Sequence, residues 1–209
     1  MNYNIGILSF GSLINDPGKE IAEALVDTID CETPFKVEYA RISSSRSNAP
    51  TLIPVDQNAI GKKVKAKIIK LRDGVTINQA KDMLWRRECY KIGSSKGYKE
   101  SSHPTSKNLQ IKTLDNILNF KQVIYTYFSL QDEFANLTPK DLACFAISSI
   151  LSEAGNKEKD GIRYLLSAKK NGIKTELSDD YESFILMLTD SNNLAEAIEK
   201  MDRKRKMYP

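Results

Sequence analysis

The chain has 209 residues, 41% of them hydrophobic, with few Gly and Pro and a formal net charge of +4. That composition suits one folded domain over residues 1–209 with its own apolar core and excludes a disordered or collagen-like chain. Lysines and glutamates are mixed along the chain, which makes no case for nucleic acid, and the apolar run 5–14 is too short and too glycine-interrupted to span a membrane.

Three cysteines, Cys31, Cys89 and Cys144, are odd in number, far apart and without metal-ligand spacing. They are expected as reduced, mostly buried thiols, and with no basic leader before the first apolar run the expected compartment is the cytoplasm. Ile5, Ile7 and Leu8 predict a buried strand that ends in the turn Phe10-Gly11-Ser12. Ile21, Ala22, Leu25 and Ile29 have helical spacing and predict a helix over 19–29, although Asp16-Pro17-Gly18 can equally open an irregular segment. Alternation then predicts strands near 35–43 and 50–55, joined by the polar link 43–48, and a further strand near 63–71 whose lysines face water.

Thr76-Ile77-Asn78-Gln79 has the capping-box pattern and predicts a helix start. Residues 94–106 lack periodicity and predict a mobile loop able to act as a lid, whereas 122–129 is apolar on both faces and predicts a central strand. From Leu137 the signals are helical: Thr138 as N-cap with Pro139 and Asp141 behind it, a stop at Gly155, then helices near 158–171, 178–188 and 194–204. The basic tail Arg203-Lys204-Arg205-Lys206 is expected to fray into solvent. Strands first and helices last give the class α+β.

Three places carry chemistry. Ile77, Ala80, Leu84 and Glu88 share one helical face, so a carboxylate stands on an apolar stripe. Such a charge needs a reason: function, an ion pair with a strand arginine such as Arg41, or a frayed helix end that reaches water. The turn Ser9-Phe10-Gly11-Ser12-Leu13 closes a buried strand, where glycine lets backbone N–H groups approach an anion; an ordinary Gly-Ser turn has the same letters. Arg41 and Arg46, with Ser43, Ser44 and Ser45 between them, suit an acidic ligand, or else the surface and a glutamate partner. His103, the single histidine, lies in the polar loop with no Ser or Cys motif around it, which argues against a Ser-His-Asp mechanism.

Taken together these residues resemble the γ-glutamylcyclotransferase superfamily, and its glutathione-acting branch in particular. Phe10-Gly11-Ser12-Leu13 resembles the Tyr-Gly-Ser-Leu turn that receives the substrate's α-carboxylate and amine. Arg41, Ser45, Arg46, Ala49-Pro50 and Pro54 are similar to the Arg-rich stretch that follows, and Trp85-Arg86-Arg87-Glu88 to the segment whose Glu is the acid/base. Ala154-Gly155, Tyr164-Leu165 and Gly172-Ile173 resemble the branch's last motif; Phe10 departs from Tyr, and Asn48-Ala49 from Gly-Thr. The resemblance implies a small, mostly antiparallel β-barrel with packed helices. It implies Glu88 as the catalytic residue and Phe10, Gly11, Ser12, Leu13, Arg41 and Arg46 as substrate-binding residues. The implied reaction cyclises a small-molecule γ-glutamyl substrate to 5-oxoproline with no metal or redox cofactor and without nucleic acid or membrane as partner. A non-catalytic module that binds a small acidic metabolite is the alternative on the same fold.

Overall fold

Strands fill the first part of the chain and helices the last, which gives the expected α+β class. The computed structural model describes residues 3–103, 108–129 and 137–207. In chain order the elements are β1 (Tyr3–Ser9), a 3₁₀ turn (Gly11–Leu13), α1 (Lys19–Ala24), β2 (Leu25–Glu32), β3 (Lys36–Ser43), a second 3₁₀ turn (Ser44–Arg46) and β4 (Ala49–Val55). Next come β5 (Lys65–Leu71), α2 (Ile77–Glu88), β6 (Gln110–Ile117) and β7 (Phe120–Tyr127). Five helices end the chain: α3 (Pro139–Ile150), α4 (Glu153–Asn156), α5 (Gly161–Lys170), α6 (Ser178–Thr189) and α7 (Leu194–Met207). Two compact units result, one from Met1–Thr33 with Lys65–Ser129 and the other from Pro34–Val64 with Leu130–Pro209.

The first unit is a five-stranded sheet in the order β2-β5-β1-β7-β6. Only the β1–β7 pair is parallel; the others are antiparallel. β1 is central, so Ile5, Ile7 and Leu8 are buried on both faces of it, as the apolar run predicted. Ile5 and Ile7 join Leu13, Ile21, Ile69, Ala80, Leu84 and Ile124 in one apolar cluster, which seats α1 and α2 on the sheet. β7 lies between β1 and β6, the interior place expected from its two apolar faces.

The second unit holds the antiparallel pair β3–β4 and the five C-terminal helices. Thr138 and Asp141 form the expected capping box on α3. Tyr39 of β3 meets Tyr164 of α5 and Tyr181 of α6 edge to face, with centroids 6.3 and 5.1 Å away. Buried Asp160 caps α5 by accepting from the Arg163 N–H and pairs with the Arg163 guanidinium.

Several expectations are corrected. No barrel closes: the strands form the five-stranded sheet, with β2 and β6 at its edges, and the separate β3–β4 pair. The helix expected over 19–29 stops at Ala24, and β2 begins at Leu25 and pairs with β5, Ile29 lying opposite Ile68. A short apolar spacing fits either period, and the β-rich run Val26-Asp27-Thr28-Ile29 takes the ladder that β5 offers. β6 was not anticipated; it forms a hairpin with β7 through Leu118-Asn119, both at positive φ. The tail does not fray, because α7 continues to Met207 and the Arg205 guanidinium donates to the Ile150 carbonyl over 2.7 Å. Cys144 is exposed and Cys31 and Cys89 are only partly buried, so the thiols are less enclosed than expected. Among the described residues no helix is long and apolar enough to cross a membrane.

Candidate functional site

β1 ends at Ser9, and the chain turns at Gly11 with φ +65°, a conformation glycine adopts without the strain a side chain brings. The 3₁₀ turn Gly11–Leu13 follows, Leu13 buried in the sheet–helix cluster and Ser12 half-buried at the surface of the unit. The first N–H groups of such a turn have no partner inside it. Phe10 is half-buried in extended conformation ahead of the turn.

Glu88 is the last residue of α2. The helix starts at the predicted box, with the Gln79 N–H donating to Thr76 Oγ1 over 3.3 Å and the Thr76 N–H to Gln79 Oε1 over 2.9 Å. It stops without fraying. Tyr90 takes φ +55°, the Tyr90 N–H donates to the Arg87 carbonyl and the Lys91 N–H to the Arg86 carbonyl, a Schellman closure. Ala80 and Leu84 are fully buried, but one turn on the Glu88 side chain is 23% exposed and salt-bridged, so the apolar stripe ends before the carboxylate.

The partner is Arg87, only 11% exposed, whose Nη1 donates to Glu88 Oε1 over 2.6 Å. Its Nη2 donates to Ser12 Oγ over 3.3 Å and to the Asp16 carbonyl over 2.6 Å, and its Nε to the same carbonyl over 2.9 Å. One planar guanidinium therefore touches both the strand-end turn and the carboxylate. Gly18 makes room for it: at φ +77°, a Cβ there would stand 2.9 Å from Arg87 Cγ. Arg86, its neighbour, turns to Glu20 instead, with contacts of 2.8 and 2.6 Å to Oε2, and Glu20 Oε1 accepts from the Gly93 N–H. Of the alternatives for Glu88, the ion pair is present, but its arginine is not on a strand; it lies one residue away, where sequence periodicity has nothing to say. The available signal was electrostatic, since a carboxylate closing a helix faces the negative end of the macrodipole and calls for a neighbouring cation.

Arg41 and Arg46 belong to the second unit. Arg41 lies on β3 opposite Thr51, whose hydroxyl donates to the Arg41 carbonyl over 3.3 Å. Arg46 donates to the Lys159 carbonyl over 3.1 Å and lies over the Tyr164 ring at 5.0 Å, a packing role inside the second unit. Ser47 and Asn48 take positive φ, and Ser47 Oγ accepts from the Ala154 N–H, so the expected polar link is an ordered turn. Of the loop 94–106, residues 104–106 lie outside the described residues; Lys96 and Tyr98 are tied to α2, with the Tyr98 N–H donating to Asp82 Oδ1 over 2.7 Å and Arg86 to the Lys96 carbonyl. His103 is exposed and contacts Ser102. In the first unit a groove of about 520 Å³ runs past Glu20, Asp82 and Arg86 and includes neither Ser12 nor Glu88. Among the described residues no group of three or more His, Cys, Asp or Glu could hold a metal ion.

Comparison with protein-family models, with curated proteins and with solved structures finds no match to this chain.

Proposed function

We propose that this protein is a γ-glutamylcyclotransferase-type enzyme, acting on a small cytoplasmic peptide or amine. The observation that carries this reading is the single guanidinium of Arg87 spanning Glu88 and Ser12. It joins a base to a turn with backbone donors, the two parts the reaction needs. A carboxylate kept at a helix C-terminus against the macrodipole, and reachable from water, also supports a chemical role.

In the reaction the α-amine of the γ-glutamyl group attacks its own γ-carbonyl. The new C–N bond closes the five-membered lactam and the old amide C–N bond breaks. The nitrogen that begins as an ammonium loses two protons, and the leaving amine gains two on becoming an ammonium; Glu88 carries them one at a time. Because nucleophile and electrophile share one molecule, the protein has mainly to fold the substrate and move protons. The N–H groups at Gly11, Ser12 and Leu13 would hold the substrate's α-carboxylate and Phe10 would border it; Arg41 and Arg46 are assigned to substrate from the sequence pattern and the family resemblance.

Incubating the purified protein with a panel of γ-glutamyl peptides and amines, and measuring 5-oxoproline, tests the reading. Glu88→Gln keeps the side chain's shape but cannot accept the ammonium proton, so turnover should fall ~10²- to 10⁴-fold with the fold intact. Release within about threefold of wild type would remove Glu88 as the proton carrier. A second reading, a binding module for a small acidic metabolite, draws on the Glu88–Arg87 pair, which leaves the base occupied at rest. Tight binding of panel members with no 5-oxoproline released would favour it.

A further inference from the structure

We propose that Arg87 is the specificity-determining residue that, beside the N–H groups of the Gly11–Leu13 turn which its Nη2 adjoins at Ser12 Oγ, takes the substrate's α-carboxylate, and that Glu88 stands in for that carboxylate until substrate arrives; this rests on the cyclotransferase reading. The guanidinium has three partners. Nε and Nη2 are held by the Asp16 carbonyl, a fixed backbone group, and Nη2 also by Ser12 Oγ. Nη1 faces a carboxylate oxygen of Glu88. The backbone contacts keep the fork in place whichever anion faces Nη1, so the cation is preorganised for a carboxylate and needs no movement of its own.

Glu88 is the exchangeable partner. It belongs to the same helix end, is 23% exposed, and sits where an incoming carboxylate would compete for Nη1. In a γ-glutamyl group the α-carboxylate and the α-ammonium share one carbon, so a carboxylate seated on Arg87 brings the ammonium beside the Glu88 oxygen it has displaced. Substrate binding then does two things at once. It satisfies the cation with a second anion, and it releases the base next to the proton that must be removed. A γ-glutamyl compound whose α-carboxylate is amidated cannot make this exchange, and it should lose kcat as well as binding.

The test uses calorimetry with 5-oxoproline and its carboxamide as probes, on wild type, Arg87→Gln, Arg87→Lys and Glu88→Gln, each checked by thermal melting. Wild type should prefer the carboxylate on the order of 10- to 100-fold, as charge-assisted pairs do. Arg87→Gln should erase the preference, and Arg87→Lys should keep part of it, because an ammonium carries the charge without the fork. Should neither Arg87 variant fold, Glu88→Gln still decides: removal of the internal competitor should tighten 5-oxoproline severalfold, and unchanged or weaker binding overturns the proposal. Equal binding of both probes to wild type, or binding of neither, also overturns it. Discrimination by wild type without 5-oxoproline release from any γ-glutamyl compound would uphold the carboxylate site and sink the enzymatic reading. Equal turnover of α-carboxylate and α-carboxamide substrates would uphold the reading and sink the proposal.

Discussion

Arg86 and Arg87 are adjacent in sequence yet serve different partners, because successive residues on a helix point about 100° apart. Arg86 meets Glu20 through Nε and Nη2, and the side chains are 16% and 21% exposed. The Arg86 guanidinium, helped by the Gly93 N–H and opposed by burial, holds the Glu20 carboxyl below the usual carboxylate range. The folded value lies under the unfolded one. This contact therefore stabilises the protein fully above the ordinary glutamate value of about 4.3 and loses its contribution as pH falls through the folded value. Glu20→Gln should cost about 1–2 kcal/mol at neutral pH, and its stability should decline less steeply in acid than that of wild type. Denaturant midpoints followed from pH 7 down to pH 3 check this; parallel curves for the two proteins would show that Glu20 is not the linked group.

At the scale of elements, the junction of α3, α4 and α7 is closed by a missing side chain. A Cβ on Gly155 would stand 1.9 Å from the Ile150 carbonyl oxygen and 2.2 Å from Arg205 Nη1. Gly155 is thus required for Arg205 to cap the end of α3, which explains part of the Ala154-Gly155 motif by packing. Gly155→Ala should destabilise the protein by about 3 kcal/mol. Adding Arg205→Ala should recover little, since the nearer obstacle is backbone. Recovery of the wild-type melting temperature in the double variant would mean that the side chain, not the carbonyl, sets the space. The α1–β2 boundary is likewise set by packing between elements: Ile21 and Ala24 bury against the sheet, and from Leu25 the chain bonds to β5.

For the whole molecule, each unit is assembled from two separate stretches of chain, because residues 34–64 leave the first unit and join helices that come after 137. A chain ending at Ser129 should retain the five-stranded sheet but strand the β3–β4 pair without α3–α7. Tyr39, Leu52 and Ile53, buried in the full protein, would then be exposed, and a two-stranded hairpin alone is marginal in water. The shortened protein should bind a hydrophobic dye and lack a single sharp melting transition; a sharp transition with no dye binding would show that the helices are dispensable.

Local patterns carried much of this architecture. The capping boxes at Thr76 and Thr138, the buried run of β1, the interior place of β7 and the last three helices were legible in patterns of a few residues, whereas α3 closes at Ile150, ahead of the stop expected at Gly155, which lies in the separate short helix α4. The sequence also singled out the strand-end turn and Glu88 as residues out of keeping with plain core or surface. What it could not contain was partnership at a distance. β2 became a strand because β5 lay open beside it, and two sheets formed in place of a closed barrel through pairing between strands far apart in the chain. Arg205 left solvent for a carbonyl 55 residues away. Arg87 joins Glu88 to Ser12 only because the ends of α2 and β1 meet, a juxtaposition set by burial of Leu84, Ile7 and Leu13 in one cluster. Periodicity tells which face of an element is apolar, but which other element covers that face is decided by packing of the whole unit.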